Sequence, residues 1–163
     1  MSEPRKEAGP PEPGRVRTTV RQLLETKQHR GALTIAPDSS VHDALAAMAK
    51  HGVGALVVVD GDRAIGVVSE RDYARKFILV GKGTRETEVR EIMSAPPITV
   101  GQDATVDECM RIMTERRVRH LPVVDLWELV GCVSIGDVVK AIIEEQERRI
   151  GEYESYIAGS YPA

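Results

Sequence analysis

The chain states one pattern twice. Gly66-Val67-Val68-Ser69-Glu70-Arg71-Asp72 returns as Gly131-Cys132-Val133-Ser134-Ile135-Gly136-Asp137, a shift of 65 positions. The same shift carries Val41 onto Val106, Met48 onto Met113, Val53 onto Val118, and Leu56-Val57-Val58-Val59-Asp60 onto Leu121-Pro122-Val123-Val124-Asp125. No gap is needed between Leu33/Ile98 and Ile78/Ile143. Two copies of one unit, each ending in an apolar strand, a glycine and a Ser-x-x-Asp, imply a pseudo-twofold module with two related clefts.

Composition bounds what those clefts can do. At 163 residues the chain is about one domain's worth. Its 42% hydrophobic content with only 4% aromatics predicts a core of Val, Leu, Ile, Ala and Met. The net charge is −3 with both signs interspersed, which excludes the basic stripe of a nucleic-acid binder. No run of about 18 apolar residues exists, so no membrane span is expected, and the N-terminus lacks an apolar signal-peptide core. Cys109 and Cys132 do not form a CxxC pair. They read as small buried hydrophobes, and reduced thiols without an export signal predict a cytoplasmic protein.

Local signals divide the chain. Residues 1–15, rich in Pro, Gly and charge, read as a disordered tail because they cannot bury enough surface to offset chain entropy. Residues 16–80 form the first unit, 81–88 a flexible linker, 89–145 the second unit and 146–163 a C-terminal helix extension and tail. Val20, Leu23 and Leu24 predict a short helix from Val20 to Thr26, with Val89-Arg90-Glu91-Ile92-Met93 as its second-copy partner. Each copy continues with a short extended piece, Leu33-Thr34-Ile35 or Ile98-Thr99-Val100. A helix capped by Ser40 or Thr105 follows. Next come two apolar strands, Ala55–Val59 with Ala64–Val68, and Leu121–Val124 with Leu129–Val133. A helix begins after each Ser, from Glu70 to about Val80 and from Ile135 onward. The second runs on toward Tyr156 as a solvated helix or dimer contact.

Ser-x-x-Asp at a helix start is, in its simplest reading, a capping box in which hydroxyl and carboxylate satisfy the first free amides. Here each motif also follows Gly and two apolar residues, which places it at a strand-to-helix junction where free amides and a positive helix end suit an anionic ligand. A carboxylate there can also accept hydrogen bonds from a sugar diol. The two roles are compatible.

These pieces, together with Val89-Arg90-Glu91-Ile92-Met93-Ser94 and Val118-Arg119-His120-Leu121-Pro122-Val123-Val124-Asp125, make the chain resemble the tandem cystathionine-β-synthase (CBS) domain pair, or Bateman module, over about Val20 to Ile143. The resemblance implies an α/β (α+β) fold: two β-α-β-β-α units packed with pseudo-twofold symmetry through their sheets. It implies two clefts for adenosine derivatives such as AMP, ADP, ATP, NAD(H) or S-adenosylmethionine, and a stand-alone homodimer. By position, Asp72 and Asp137 would hold ribose hydroxyls, with Ser69 and Ser134 beside ribose or phosphate. Thr34, Ile35, Thr99 and Val100 would line the wall near the base, and Ala55, Val68, Leu121 and Val133 would flank it. Phosphate would fall to Arg119 and His120, with Arg71 and Lys76 as further candidates.

The copies also differ. Arg119-His120 is matched by Gly54-Ala55, and Arg71 by Gly136, so the clefts are not equivalent. Gly81-Lys82-Gly83-Thr84 lacks the full phosphate-loop pattern. His29, His42 and His51 have no partner at metal-ligand spacing. No nucleophile, base and orienter set is present, so a small enzyme is the weakest reading. Trp127 is expected to pack on the sheet edge, and Tyr153, Tyr156 and Tyr161 to pack on the module or across a dimer. The expectation is a non-catalytic regulatory module that senses an adenine nucleotide or NAD(H) as ligand, with no required cofactor and no metal. The alternative is a regulatory subunit with vestigial clefts that binds a protein target.

Overall fold

Capping groups start each helix where the sequence places them. The computed structural model describes residues 14–27 and 31–159; His29, Tyr161 and most of the expected N-terminal tail lie outside the described residues. Helix α1 (Val20–Thr26) begins with a reciprocal Thr19/Gln22 capping box. Helix α2 (Val41–His51) is capped by Ser40, whose Oγ accepts from the Asp43 amide at 3.0 Å. Helix α4 (Val106–Arg116) carries a Thr105/Glu108 capping box. Between them lies α3, residues 70–80, which is α-helical at Glu70–Asp72, π-helical at Tyr73–Phe77 and α-helical again at Ile78–Val80. Helix α5 (Ile135–Gly159) closes the chain with 25 residues.

The strands give a mixed α+β fold. In the first unit β1 (Thr34–Ile35) runs parallel to β2 (Ala55–Asp60), and β2 runs antiparallel to β3 (Arg63–Ser69). In the second, β4 (His120–Asp125) pairs antiparallel with β5 (Glu128–Ser134). The registers correspond residue for residue, Ala55 opposite Ser69 and His120 opposite Ser134, and each hairpin bulges at the same step. Ile98-Thr99-Val100 does not repeat β1: only a single bridge from Val100 to Val123 remains. The two sheets meet through β3 and β5.

The sequence repeats are not the packing units. Helix α1 precedes the first unit, yet Val20 and Leu23 are buried in the core of the second, with Val106, Cys109, Met113, Leu121 and Val133. Backbone bonds fix it there: Val20 N–H donates to Ala104 O at 2.8 Å and Val106 N–H to Thr18 O at 2.9 Å. Conversely Val89 and Ile92 are buried with Val41, Met48, Leu56 and Val68 in the first core, where Val89 N–H donates to Ser39 O at 2.8 Å. Each unit is therefore completed by the segment that precedes the other. Fully burying a valine contributes about 1.5–3 kcal/mol, so these four apolar residues hold the copies together as strongly as any surface contact could.

Two sequence expectations change. Residues 81–88 were expected to be a flexible linker, but they are tied to α2. Val41 N–H donates to Thr87 O at 2.8 Å, His42 N–H to Thr84 O at 3.0 Å, and the fully buried Thr87 hydroxyl donates to Gly83 O at 2.8 Å. Bare amides at the helix start need acceptors, and the chain leaving α3 supplies them. Trp127 does not cover the sheet edge. It is 86% exposed, and Leu126 87%, on a hairpin turn with φ of 74° and 46°. Both residues stand at the tip of the hairpin, between the paired Asp125 and Glu128. Tyr153 and Tyr156 are likewise exposed.

The repeated glycines mark where the exchanged segments cross. A Cβ on Gly131 would lie 2.8 and 2.9 Å from the Leu24 methyls, whereas one on Gly66 would lie 2.9 Å from the Ser94 carbonyl oxygen. That carbonyl is fixed by Val67 N–H at 3.0 Å, while a leucine side chain can turn. Gly66→Ala is expected to cost about 1–3 kcal/mol and Gly131→Ala clearly less, read as the shift in chemical denaturation midpoint. Leu23→Ala is expected to cost about 2–5 kcal/mol and to lower hydrogen-exchange protection first in β4 and β5 rather than in β2 and β3, though it precedes the first unit.

Candidate functional site

The β3–α3 junction, the 94–98 connector and the start of β4 enclose a cavity of about 430 Å³. Both units and the connector line it. From the first unit come Gly54, Ser69, Glu70, Arg71, Asp72, Arg75 and Lys76; from the second, Arg117, Val118, Arg119, His120 and Ile135. Ser94, Pro96, Pro97 and Ile98 form the wall between them. Five basic side chains face two carboxylates in this space. Arg71 and Arg75 stand one helical turn apart and so share a face of α3.

Asp72 is the centre of the site. It is 7% exposed, and four donors surround its carboxylate. Oδ2 accepts from the Ser69 amide and hydroxyl, both at 2.9 Å. Oδ1 accepts from the Ser94 hydroxyl at 2.8 Å and pairs with Lys76 Nζ at 2.8 Å. Lys76 Nζ also donates to Ser94 Oγ at 3.0 Å and to Ile92 O at 3.2 Å. The motif is thus a capping box, as its simplest reading holds, and also the acidic floor of a basic cavity. A carboxylate has about four lone-pair sites. A ligand diol would therefore replace Ser94 or Lys76 on Oδ1 rather than add to them.

The backbone aims one of these cations into the cavity. Arg117 caps α4 with φ 54°, at the position matching Gly52 with φ 63° in the first unit. Holding a non-glycine residue there costs about 1–2 kcal/mol, and the guanidinium so placed lines the cavity. Across the space, a Cβ on Gly54 would lie 3.7 Å from Glu70 Oε2 and 3.8 Å from His120 Cε1, which puts both side chains at ordinary contact distance from this position. His120 is half-buried, and desolvation lowers its pKa from 6.5; Asp137 opposes this, while Lys27 and Arg119 add to it. Its imidazole is neutral at pH 7.

The CBS-domain profile matches residues 20–78 and 89–144. The chain belongs to the CBS-domain family. Among relatives, the mitochondrial CBS domain-containing protein CBSX3 of Arabidopsis thaliana is 37% identical over 152 residues, spanning 88% of this chain and 74% of its own length. A putative signal-transduction protein with CBS domains from Burkholderia ambifaria is 48% identical, with a TM-score of 0.75 over 79% of this chain and 96% of the other. A CBS domain protein from Pyrobaculum aerophilum, solved in complex with AMP, is 27% identical, with a TM-score of 0.67 over 78% of this chain and 96% of the other.

Within this CBS pair, six of the sequence-derived candidates line the cavity: Ser69, Arg71, Asp72, Lys76, Arg119 and His120. The others do not. Val68, Val133, Leu121 and Val100 are core residues, the first three because alternate positions of a strand point to opposite faces of its sheet. Ile35 packs against the first core, Thr34 is exposed on β1 and Ala55 is partly buried in β2. Thr99 lies at a separate depression between the hairpin tips with Pro97 and Trp127. Ser134 and Asp137 form the same box as their counterparts, with Ser134 N–H donating to Asp137 Oδ2 at 2.8 Å. That carboxylate, however, is taken by Lys27 Nζ at 2.7 Å, which also donates to Cys132 O at 2.9 Å. Lys27 follows α1, so the crossed packing delivers an ammonium to the second acid.

Several cavity residues escaped the sequence reading: Ser94, Arg75, Arg117 and the Pro96-Pro97-Ile98 wall. Arg75 could have been found from its i, i+4 relation to Arg71, and Arg117 from its match to Gly52. Ser94 and the wall carry no local signal, because only the crossing of the connector over β3 brings them to Asp72. Among the described residues no cluster of His, Cys, Asp or Glu could hold a metal ion. Burial pushes both Cys109 and Cys132 thiols up to about 11, so they remain protonated packing groups.

The state of His120 has a measurable consequence. Its folded pKa lies below 6.5, so the unfolded chain takes up the proton more readily, and His120 subtracts stability as pH falls through that value and none well above it. The drop in melting temperature between pH 7.5 and 5.5 is expected to be smaller in His120→Gln than in the wild type. An equal drop in both proteins would remove His120 as its source.

Proposed function

We propose that this protein is a non-catalytic regulatory module that binds a phosphorylated adenosine ligand, AMP, ADP, ATP or NAD(H), in the cleft between its two CBS units, and that it acts as a homodimer. The observation that carries this reading is the cavity itself: Asp72 at the floor for a ribose diol, with Arg71, Arg75, Arg117 and Arg119 around it for phosphate. The AMP complex of the Pyrobaculum relative supports the adenosine part. The basic rim supports the phosphate, since guanidinium groups bind phosphate in charge-assisted, often bidentate hydrogen bonds. The unpaired thiols suit a reducing compartment, and the cytoplasm is our reading for this chain, although the Arabidopsis relative is mitochondrial. Among the described residues no helix is long and apolar enough to cross a membrane.

Signalling would follow from an exchange of partners. A diol on Asp72 Oδ1 displaces Ser94 Oγ, which sits on the connector whose backbone pairs with Val67. Ligand thereby favours a different seating of the connector that joins the units, and it can shift only what it contacts differentially. The second cleft stays shut while Lys27 holds Asp137. This contact, with the exposed Leu126 and Trp127, is what favours the other reading, a subunit that works through a protein target alone.

Calorimetry with AMP, ATP, NADH and S-adenosylmethionine separates the two. A hydrogen bond to a charged group contributes about 1.5–3 kcal/mol, so Arg119→Ala is expected to weaken a phosphorylated ligand by about ten- to a hundredfold. Asp72→Asn is expected to weaken every ligand that binds, and Lys27→Met to raise the stoichiometry from one site per chain toward two. Absence of heat with all four ligands, with the fold intact, would overturn the nucleotide reading and leave the protein-target one.

A further inference from the structure

The last helix carries an apolar seam that leaves its large side chains exposed among the described residues. In α5, Val138 is buried and Ala141 and Ile142 pack on the second core. About a quarter turn around the helix from that face, Val139, Ile143, Gln146, Ile150, Tyr153 and Ile157 succeed one another at alternating steps of four and three residues. Val139 is 42% exposed, Ile143 51%, Ile150 56% and Ile157 58%. A groove at the start of this seam is lined by Ile135, Val139, Lys140, Ile143 and Glu144.

From Ile150 to Gly159 every residue is exposed, so the final turns leave the body of the protein as a bare helix. Isolated helices shorter than about 12–15 residues are marginal in water, and Gly151 within this one costs about a further 1 kcal/mol relative to alanine. The i, i+3 and i, i+4 pairs of Glu145 with Arg148 and Arg149 are worth only about 0.2–0.5 kcal/mol each. These turns need a partner, and the period says which kind. A stripe that repeats every 3.5 residues stays in register only with another helix wound about it.

We infer that α5 pairs with α5 of a second copy of this chain as a parallel, in-register two-stranded coiled coil over residues 139–157. The three positions 143, 150 and 157 are all isoleucine, and within a parallel coiled coil β-branched residues at one core position of the heptad favour two strands. In register, Gln146 meets Gln146 of the second copy, and the two amides satisfy each other. The antiparallel alternative would bury Gln146 against Ile150, leaving an amide without a partner in apolar surroundings. The parallel arrangement does not have this defect.

This deepens the homodimer part of the proposed function and rests on it. Sedimentation of the full chain with Ile150→Asp, and oxidative cross-linking of Ile157→Cys, test the two together. The wild type is expected to sediment as a dimer. Ile150→Asp, whose site lies outside the folded core, is expected to raise the dimer dissociation constant at least a hundredfold while the heat of nucleotide binding stays as in the wild type. Ile157→Cys is expected to give a covalent dimer on mild oxidation, which the wild type, with Cys109 buried and Cys132 half-buried, does not give. A monomeric wild type would overturn the dimer reading and the seam together. A dimeric Ile150→Asp would overturn the seam alone. Loss of the dimer in Ile150→Asp without cross-linking of Ile157→Cys would overturn the parallel register.

Discussion

The rest of the structure depends on an exchange of short segments between the two copies. Val20 and Leu23 complete the core of the second unit, and Val89 and Ile92 complete the core of the first. Each segment enters by the same pair of backbone bonds to the start of the unit's first long helix, at Val106 in one case and Val41 in the other. Because each unit lacks a piece that the other's leading segment supplies, the copies cannot separate without opening both cores. A pocket between them is then held as firmly as a pocket within one of them.

The exchange also explains why the two acidic motifs differ in use. The segment crossing the first unit ends in Ser94, which leans a neutral hydroxyl on Asp72. The segment crossing the second ends in Lys27, which places a full charge on Asp137. The Lys76 ammonium on Asp72 comes from the motif's own helix instead and itself lines the cavity. Near-identical boxes thus meet different neighbours. One becomes the floor of a basic cavity and the other an internal ion pair, half-buried and therefore costly to break. The asymmetry of the clefts lies as much in what crosses each unit as in Arg119 against Gly54.

Strain and exposure mark the places where the fold serves something other than stability. Arg117 stands in a left-handed cap where its counterpart is Gly52, and its charge lines the cavity. Leu126 and Trp127 occupy a turn of positive φ, in water, where their counterparts are Gly61 and Asp62. The π-helical step at Tyr73–Phe77, absent from the matching stretch of α5, lies between Arg71 and the end of α3. These are the departures of one copy from the other, and they gather on the cavity, the hairpin tip and the last helix.

What the sequence by itself determined was the unit: its caps, strands, hairpin register, terminal Ser-x-x-Asp and membership in a tandem pair. Those features arise from neighbours in the chain, from periodicity and capping chemistry, and the repeat at constant shift states them twice. Six residues of the cleft were legible for the same reason, since they sit on or beside the repeated motif. The tertiary structure alone decided that α1 belongs to the second core, that Ser94 and Lys27 reach the two acids, and that Val68, Leu121 and Val133 face away from the cleft. These are contacts between segments 22 to 110 residues apart, and side-chain direction on a strand buried on both faces leaves no alternation in the sequence to read. Local physics wrote the motif; which groups meet it depended on where the chain crosses itself.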